Sequence, residues 1–193
     1  MPVLLMFYRR HLPHWQRPDS PLFITWRLFG SLPRRTLLKS RGEQNSGKKF
    51  VLLDRELDRA SYGPTWLKDP RLAERVVEIL QEAAEQNKLF RLSAFVIMSN
   101  HVHILIWPFA FLETITRTIK GFSAHEANCI LGRTGHRFWQ DESFDHAVRN
   151  EEEFYRIQKY IEQNPVKARL VESAEDWKWS SAAKRFLPKH RLK

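Results

Sequence analysis

The stretch LFRLSAFVIMSNHVHILIW, residues 89–107, constrains the fold most, because two apolar runs are separated by only a short polar step. Ser99 and Asn100 form that step, and both residue types favour tight turns. Residues typical of β-strands flank the pair on both sides, which predicts a β-hairpin. The chain is therefore expected to build a sheet that contains antiparallel strands.

The second strand of this hairpin carries two histidines one residue apart. Side chains alternate between the two faces of a strand, so His101 and His103 project to one side. The apolar side chains of Val102, Ile104 and Ile106 project to the other. Two imidazoles on one face can share one ion, but a His-x-His pattern also occurs in strands by chance. The pattern alone leaves metal binding and simple packing open.

Hydrophobic periodicity predicts further elements around the hairpin. The run FITWRLFGSLP, residues 23–33, alternates and predicts a strand that ends at its glycine and proline. Apolar residues at helical spacing predict helices over about 71–86 and 112–131. Residues 35–49 are polar and contain glycine, which predicts a loop, and a short helix is expected over 51–60.

A third helix is marked at both ends. Asn150 as N-cap, with Glu153 three residues later, is close to a capping box. Asn164-Pro165 predicts the C-terminus, because a residue before proline disfavours the helical conformation. The pieces HRFWQDE and FDHAVR, which precede this helix, are typical of short extended segments. The resulting order of elements predicts an α+β, ferredoxin-like split βαβ fold, with an antiparallel sheet and helices on one face.

The third helix presents a tyrosine and an amide at the edge of its apolar stripe. Phe154, Ile157 and Ile161 form the stripe at helical spacing. Tyr160 lies beside the stripe, and Asn164 lies one turn farther along the same face. A tyrosine in this position is ordinarily a packing residue, and an asparagine before proline is ordinarily a turn residue. Spacing alone leaves both roles open.

Composition favours a partner that carries phosphates. The formal net charge is +10, from 32 Lys and Arg against 22 Asp and Glu. A basic protein without such a partner is the alternative.

Cys129 is the single cysteine, which excludes an intramolecular disulfide and a cysteine-rich zinc site. Together with the lack of a signal peptide or a membrane-spanning apolar run, this predicts a cytoplasmic, nucleoid-associated protein.

Four segments follow one another in the order SNHVHILI, FWQDESFDHAVRN, YIEQNPVKARLV and EDWKWSSA. In these segments the chain resembles the single-tyrosine HUH transposases, especially the REP-associated tyrosine transposases. The resemblance covers about residues 23–183. It implies an HUH endonuclease fold and a metal-dependent transposase that cuts and transfers single-stranded or hairpin (REP-like) DNA through a 5′-phosphotyrosine. It assigns Tyr160 as the nucleophile and His101 and His103 as metal ligands. Asn164 stands where relatives carry a polar metal-binding side chain, often Gln.

The implied cofactor is Mg²⁺ or Mn²⁺, because a divalent ion neutralises a phosphodiester and fixes the in-line geometry of attack. Trp177 and Trp179 are expected either to stack on an unpaired base or to pack the C-terminal segment onto the domain. Basic residues in or near the motifs are candidates for contacts to DNA phosphates. They are Arg117, Lys120, Arg133, Arg137, Arg149, Lys167 and Arg169.

The predicted organisation has three parts: a basic and aromatic N-terminal arm (1–20), an HUH tyrosine transposase domain (21–172) and a C-terminal extension (173–193) with a tryptophan-rich segment and a basic tail. Two alternatives to the transposase stay open. One is a non-catalytic DNA-binding regulator of hairpin repeats, and the other is a different HUH nickase. The sequence leaves open the DNA target, the cleavage position, a mobile-element or host role, and whether the protein is a monomer or a homodimer.

Overall fold

The fold is a four-stranded antiparallel sheet with helices packed against it. The computed structural model describes residues 6–9, 13–16 and 20–186. In chain order the elements are β1 (Met6–Arg9), β2 (Pro13–Gln16), β3 (Leu22–Arg27), α1 (Arg34–Arg41), α2 (Ser46–Arg59), α3 (Pro70–Glu85), β4 (Phe90–Ile97), β5 (His101–Pro108), α4 (Leu112–Ile130), β6 (Phe144–Ala147) and α5 (Glu151–Lys167). The predicted α+β class with an antiparallel sheet is confirmed.

The histidine strand lies inside the sheet, whose strand order is β4-β5-β3-β6. The predicted hairpin of β4 and β5 is present, and the N–H of Met98 donates to the carbonyl of His101 across its turn at 2.9 Å. On the other side of β5, the register pairs Thr25 with His103 and Arg27 with His101. Both histidines are therefore flanked by strands on each side.

The two faces of the sheet are covered by different helices. Ile104 belongs to the apolar cluster that α3 and α4 build on one face. Leu105, the next residue, belongs to the cluster on the other face, where Ile157 and Ile161 of α5 pack. Phe50 of α2 joins this second cluster. The helices are divided between the two faces rather than gathered on one, because both faces of the inner strands are apolar and must be buried.

The segment predicted as a loop, residues 35–49, is largely helical, so that prediction was wrong. It contains most of α1 and the first turn of α2, and the side chain of Asn45 caps α2 by accepting the N–H of Lys48 at 3.0 Å. Its glycines do not interrupt either helix, since Gly42 is the C-cap of α1 and Gly47 lies in the first turn of α2. The short helix predicted over 51–60 is the continuation of α2.

α5 begins as predicted and ends later than predicted. The side chain of Asn150 accepts the N–H of Glu153 at 2.8 Å, which confirms the N-cap. The helix continues through Pro165 to Lys167, so the predicted end at Asn164 was wrong. Proline removes only one N–H donor, and the buried side chains of Asn164 and Pro165 hold this turn against the core.

Replacing Asn150 by alanine should lower the free energy of unfolding by about 1 kcal/mol, because one N–H at the start of α5 loses its acceptor. Urea unfolding of the two proteins measures the difference. Lys159→Ala, on the exposed side of the same helix, is the control and should change the value by less than about 0.5 kcal/mol. Equal losses in both variants would contradict a specific role for the cap.

The C-terminal tryptophans pack against the edge of β4. Trp177 Nε1 donates to the carbonyl of Ile97 at 3.0 Å, and the N–H of Ile97 donates to the carbonyl of Trp179 at 2.8 Å. The packing alternative for these tryptophans is thereby confirmed.

At the N-terminus, β1 and β2 pair antiparallel within the segment predicted as an arm. The remainder of residues 1–19 and the predicted basic tail over residues 187–193 lie outside the described residues. Within the described part of the chain, no helix has the length and apolar character needed to cross a bilayer.

Candidate active site

The two predicted histidines are fully buried on the face of the sheet that α5 covers. Their ring centroids are 4.7 Å apart. Asp54 of α2 approaches both rings, and one potential ligand atom of each of these three residues lies within 4.8 Å of the others. A strand and a helix distant in sequence thus bring together three side chains that could hold a metal ion. We call Asp54, His101 and His103 the metal-binding cluster.

Asn100, at the hairpin turn, sets the tautomer of His101. The amide of Asn100 donates to the carbonyl of Leu57 at 3.2 Å, which leaves its oxygen 2.7 Å from His101 Nδ1. An oxygen that can only accept requires the proton on Nδ1, so Nε2 carries a free lone pair. Burial, followed by repulsion from His103, lowers the pKa of His101 to about 3. His101 is therefore a neutral imidazole, and its Nε2 has no hydrogen-bond partner in the part of the chain that the structure describes.

His103 is held from β3 in a similar way. Thr25 Oγ1 lies 2.7 Å from His103 Nδ1. On the other side of the ring, Nε2 is 3.2 Å from Asp54 Oδ1 and 3.4 Å from Asn164 Nδ2. Asn164 is fully buried, and none of the described residues forms a hydrogen bond with its Oδ1. Because rotation of the amide exchanges its oxygen and nitrogen, Asn164 can present an oxygen at the same point.

α2 supplies two aspartates that the sequence reasoning missed. Asp54 Oδ1 is 3.9 Å from His101 Nε2, and Asp58 Oδ1 is 3.7 Å from the same nitrogen. The signal was present in the sequence as DRELD, since two aspartates four residues apart share one face of a helix. Burial, and next the charge of Asp54, raise the pKa of Asp58. Burial opposes ionisation of Asp54 itself, but its histidine and tyrosine contacts outweigh burial and hold its pKa below the usual range.

Tyr160 of α5 reaches the same cluster. Its hydroxyl donates a hydrogen bond to Asp54 Oδ2, and its ring centroid is 5.7 Å from that of His103. The ammonium group of Lys167 lies 5.1 Å from the Tyr160 ring centroid and 3.1 Å from Asp58 Oδ2. Burial, and then the charge of Asp54, raise the pKa of Tyr160 above its ordinary value. The structure therefore brings the predicted tyrosine, asparagine and histidines together.

The unsatisfied atoms of this cluster suit a divalent cation. Buried polar atoms without partners are rare in proteins, so several of them around one point indicate a ligand site. Carboxylate and amide oxygens suit Mg²⁺ and Mn²⁺, and imidazole nitrogen also suits Mn²⁺. The residues thus fit the metal that the resemblance implied. The atoms that lack a partner within residues 6–9, 13–16 and 20–186 are Asp54 Oδ1, Asp58 Oδ1, His101 Nε2 and Asn164 Oδ1.

Three of the basic residues predicted to contact DNA line one surface cavity of about 360 Å³ beside α4: Arg117, Lys120 and Arg137. The ammonium of Lys120 also donates to the carbonyls of Gln140 and Asp141, at 2.7 Å each. This lysine therefore holds the segment that leads into β6, whether or not it contacts DNA.

The other predicted DNA contacts are dispersed. Arg133 stacks on Trp66, with its guanidinium carbon 4.1 Å from the ring centroid. Arg149 lines a separate cavity of about 520 Å³ at the start of α5, and Arg169 is exposed just after that helix. Among the seven predicted residues, only Lys167 has a described contact to Asp54 of the metal-binding cluster and to the neighbouring Asp58.

Comparison with known proteins identifies the family of the chain. Residues 59–164 match the family model described as "Transposase IS200 like", which is more than half of the 193-residue chain. This segment includes both histidines, Tyr160 and Asn164, whereas Asp54 and Asp58 precede it. No curated protein matches the chain.

Two solved structures are similar to the chain. The first is a REP-associated tyrosine transposase bound to a REP hairpin, with a TM-score of 0.57, 19% identity, and coverage of 94% of this chain and 87% of that chain. This likeness supports the fold. The second, a candidate transposase from Deinococcus radiodurans R1, has a TM-score of 0.43 at 19% identity, too low to carry an argument, and covers 82% of this chain and 98% of that chain. On the family match, this chain belongs to the IS200-like transposase family.

Proposed function

We propose that the protein is a metal-dependent transposase that cuts and rejoins single-stranded or hairpin DNA through a 5′-phosphotyrosine intermediate. The observation that carries this proposal is the hydrogen bond from the Tyr160 hydroxyl to Asp54, a member of the metal-binding cluster. This bond brings the proposed nucleophile next to candidate metal ligands, an arrangement that supports attack on a phosphodiester. The solved relative that carries a REP hairpin supports hairpin DNA as the substrate class.

In this proposal His101, His103, Asp54 and Asn164 hold Mg²⁺ or Mn²⁺. The bound ion would neutralise the charge of the phosphodiester and orient its non-bridging oxygens. Lys167 stands at the edge of the cluster with its side chain 53% exposed, so its ammonium can also meet a phosphate. The dispersed arginines and Lys120 remain the proposed contacts to the rest of the DNA backbone.

The residues of this chain can move the proton that the reaction requires. The Tyr160 hydroxyl already donates to Asp54 Oδ2, which can accept the proton as the tyrosine oxygen bonds to phosphorus. The bond from phosphorus to the 3′ oxygen breaks, and that oxygen takes a proton from water to become a free 3′-hydroxyl. The tyrosine ester keeps the energy of the phosphodiester, so a 3′-hydroxyl can reverse the step and join a new strand without ATP.

The geometry favours this enzyme over a non-catalytic regulator of hairpin repeats. DNA binding alone has no need of a tyrosine hydroxyl bonded to a buried carboxylate beside two histidines. A different HUH nickase would share this chemistry, and the match to the transposase family favours transposition.

With Mg²⁺ or Mn²⁺, the purified protein should cleave a cognate single-stranded DNA hairpin and leave the perfectly paired duplex uncut. The cluster is buried, so the backbone must bend to bring a phosphate into it, and a strand that is paired and stacked in a duplex resists that bend. Denaturing gels should show the fragment with the 5′ phosphate attached to protein and the other fragment free. Equal cleavage of both substrates would contradict the single-strand assignment, and the absence of any adduct would favour the regulator.

A further inference from the structure

A cavity of about 570 Å³ opens beside the metal-binding cluster, between the helices α1 and α2 and the sheet. Its lining includes Asp54 and also Thr25, which contacts His103, so the cavity adjoins the proposed site of cleavage. The volume lies in the range that small ligands occupy in proteins. Much of the wall comes from residues that precede the segment 59–164 matched by the transposase family.

Arg27 brings an uncompensated positive charge to this cavity. One of its guanidinium nitrogens donates to the carbonyl of Leu28 at 3.4 Å and to the hydroxyl of Ser31 at 3.3 Å. Within residues 20–186, Arg27 forms no ion pair. Burial lowers the pKa of Arg27 to about 10, so the guanidinium stays charged at neutral pH. A partly buried cation without a counter-charge is costly, and an anionic ligand removes that cost.

The rest of the lining suits a nucleotide. The rings of Phe50 and Phe144 are stacked with their centroids 4.4 Å apart, and they form an aromatic wall against which a base can pack. Arg41, which is exposed, and Lys49, which is half-buried, add positive charge. Among the described lining residues, Glu142 is the one carboxylate outside the metal-binding cluster. The balance of charge therefore favours an anion.

We propose that this cavity binds one unpaired nucleotide of the DNA strand, adjacent to the phosphate that Tyr160 attacks. Arg27 holds the phosphate of this nucleotide, and Phe50 and Phe144 pack against its base. The inference rests on the proposed function for the identity of the strand. A blunt duplex cannot supply this nucleotide, because its bases are paired and stacked.

Binding measurements on a Tyr160→Phe background in chelator-containing buffer test the cavity without cleavage. The probes are a labelled short oligothymidylate and a labelled blunt hairpin closed by a non-nucleotide linker, which has no unpaired nucleotide at its ends or in its loop. Arg27→Leu should weaken oligothymidylate binding about tenfold, while hairpin binding changes by less than about twofold. Arg71→Leu is the matched control, since Arg71 is an exposed residue paired with Asp69 outside the cavity, and it should change neither affinity.

A second variant keeps the test decisive if Arg27→Leu fails to fold. Ser46 is exposed and lines the cavity at the start of α2, so Ser46→Trp fills the space without removing a buried group. The same loss of oligothymidylate binding is expected. The proposal would be overturned if Ser46→Trp and folded Arg27→Leu bound oligothymidylate as tightly as the parent. It would also be overturned if the two variants lost as much affinity for the hairpin as for oligothymidylate. The variants could lose affinity for oligothymidylate alone while the unmutated protein never cleaves DNA. That result would support nucleotide binding in this cavity and count against the proposed function.

Discussion

Tyr160→Phe should abolish the covalent attachment of DNA to the protein while leaving the fold intact. The substitution removes one oxygen and keeps the ring, which packs in the apolar cluster of Phe23 and Leu105. The lost hydrogen bond to the Asp54 carboxylate should lower the free energy of unfolding by roughly 1.5 to 3 kcal/mol, the range for bonds to charged groups. Labelled single-stranded DNA on denaturing gels measures the adduct, and circular dichroism verifies the fold.

Tyr155→Phe is the matched control for this substitution. Tyr155 lies on the same helix, is 58% exposed, and is followed four residues later by Lys159 rather than by an amide. The variant should form as much adduct as the parent. An adduct that persists in Tyr160→Phe and disappears in Tyr155→Phe would show that the nucleophile is the other tyrosine.

His101→Ala, His103→Ala and Asp54→Asn should each abolish cleavage and remove most of the response to metal. In the parent, Mn²⁺ at one hundred times its dissociation constant should stabilise the folded protein by about 2.7 kcal/mol, which thermal unfolding detects without DNA. Each substitution removes a donor from the cluster, so the shift in Tm should shrink. DNA affinity should change little, because dispersed phosphate contacts supply most of it.

His125→Ala is the control for the histidine substitutions, since His125 is exposed on α4 and lies outside the cluster. It should keep both the Tm shift and the cleavage activity. An unchanged Tm shift in His103→Ala and Asp54→Asn, or normal cleavage by either in chelator-treated buffer, would contradict the metal assignment.

Several features follow from the sequence because their causes act between neighbours in the chain. Ser99 and Asn100 separate two strand-forming runs, and alternation along the second run places His101 and His103 on one face. Asn150 and Glu153 mark the start of α5 through contacts between residues three apart. The spacing of Tyr160 and Asn164 on that helix is a local property in the same sense.

The end of α5 shows where local rules fail. A proline normally ends the preceding helix, yet α5 continues through Pro165, because the buried side chains of this turn pack against the sheet. α1 and α2 were missed for a related reason. Their glycines lie near helix ends, where they do little harm, and the packing of these helices on each other and around Phe50 is a tertiary contribution.

By itself, the sequence determined the antiparallel hairpin, the shared face of its two histidines, and the tyrosine and asparagine one helical turn apart. Only the tertiary structure decided that α2 lies over that face, so that the Asp54 carboxylate meets a tyrosine hydroxyl 106 residues away in the chain. Only it decided that Arg27 faces a cavity without an ion-pair partner among residues 20–186. The physical reason is that periodicity, capping and turn chemistry are short-range, whereas contacts between distant segments depend on the simultaneous packing of the whole core.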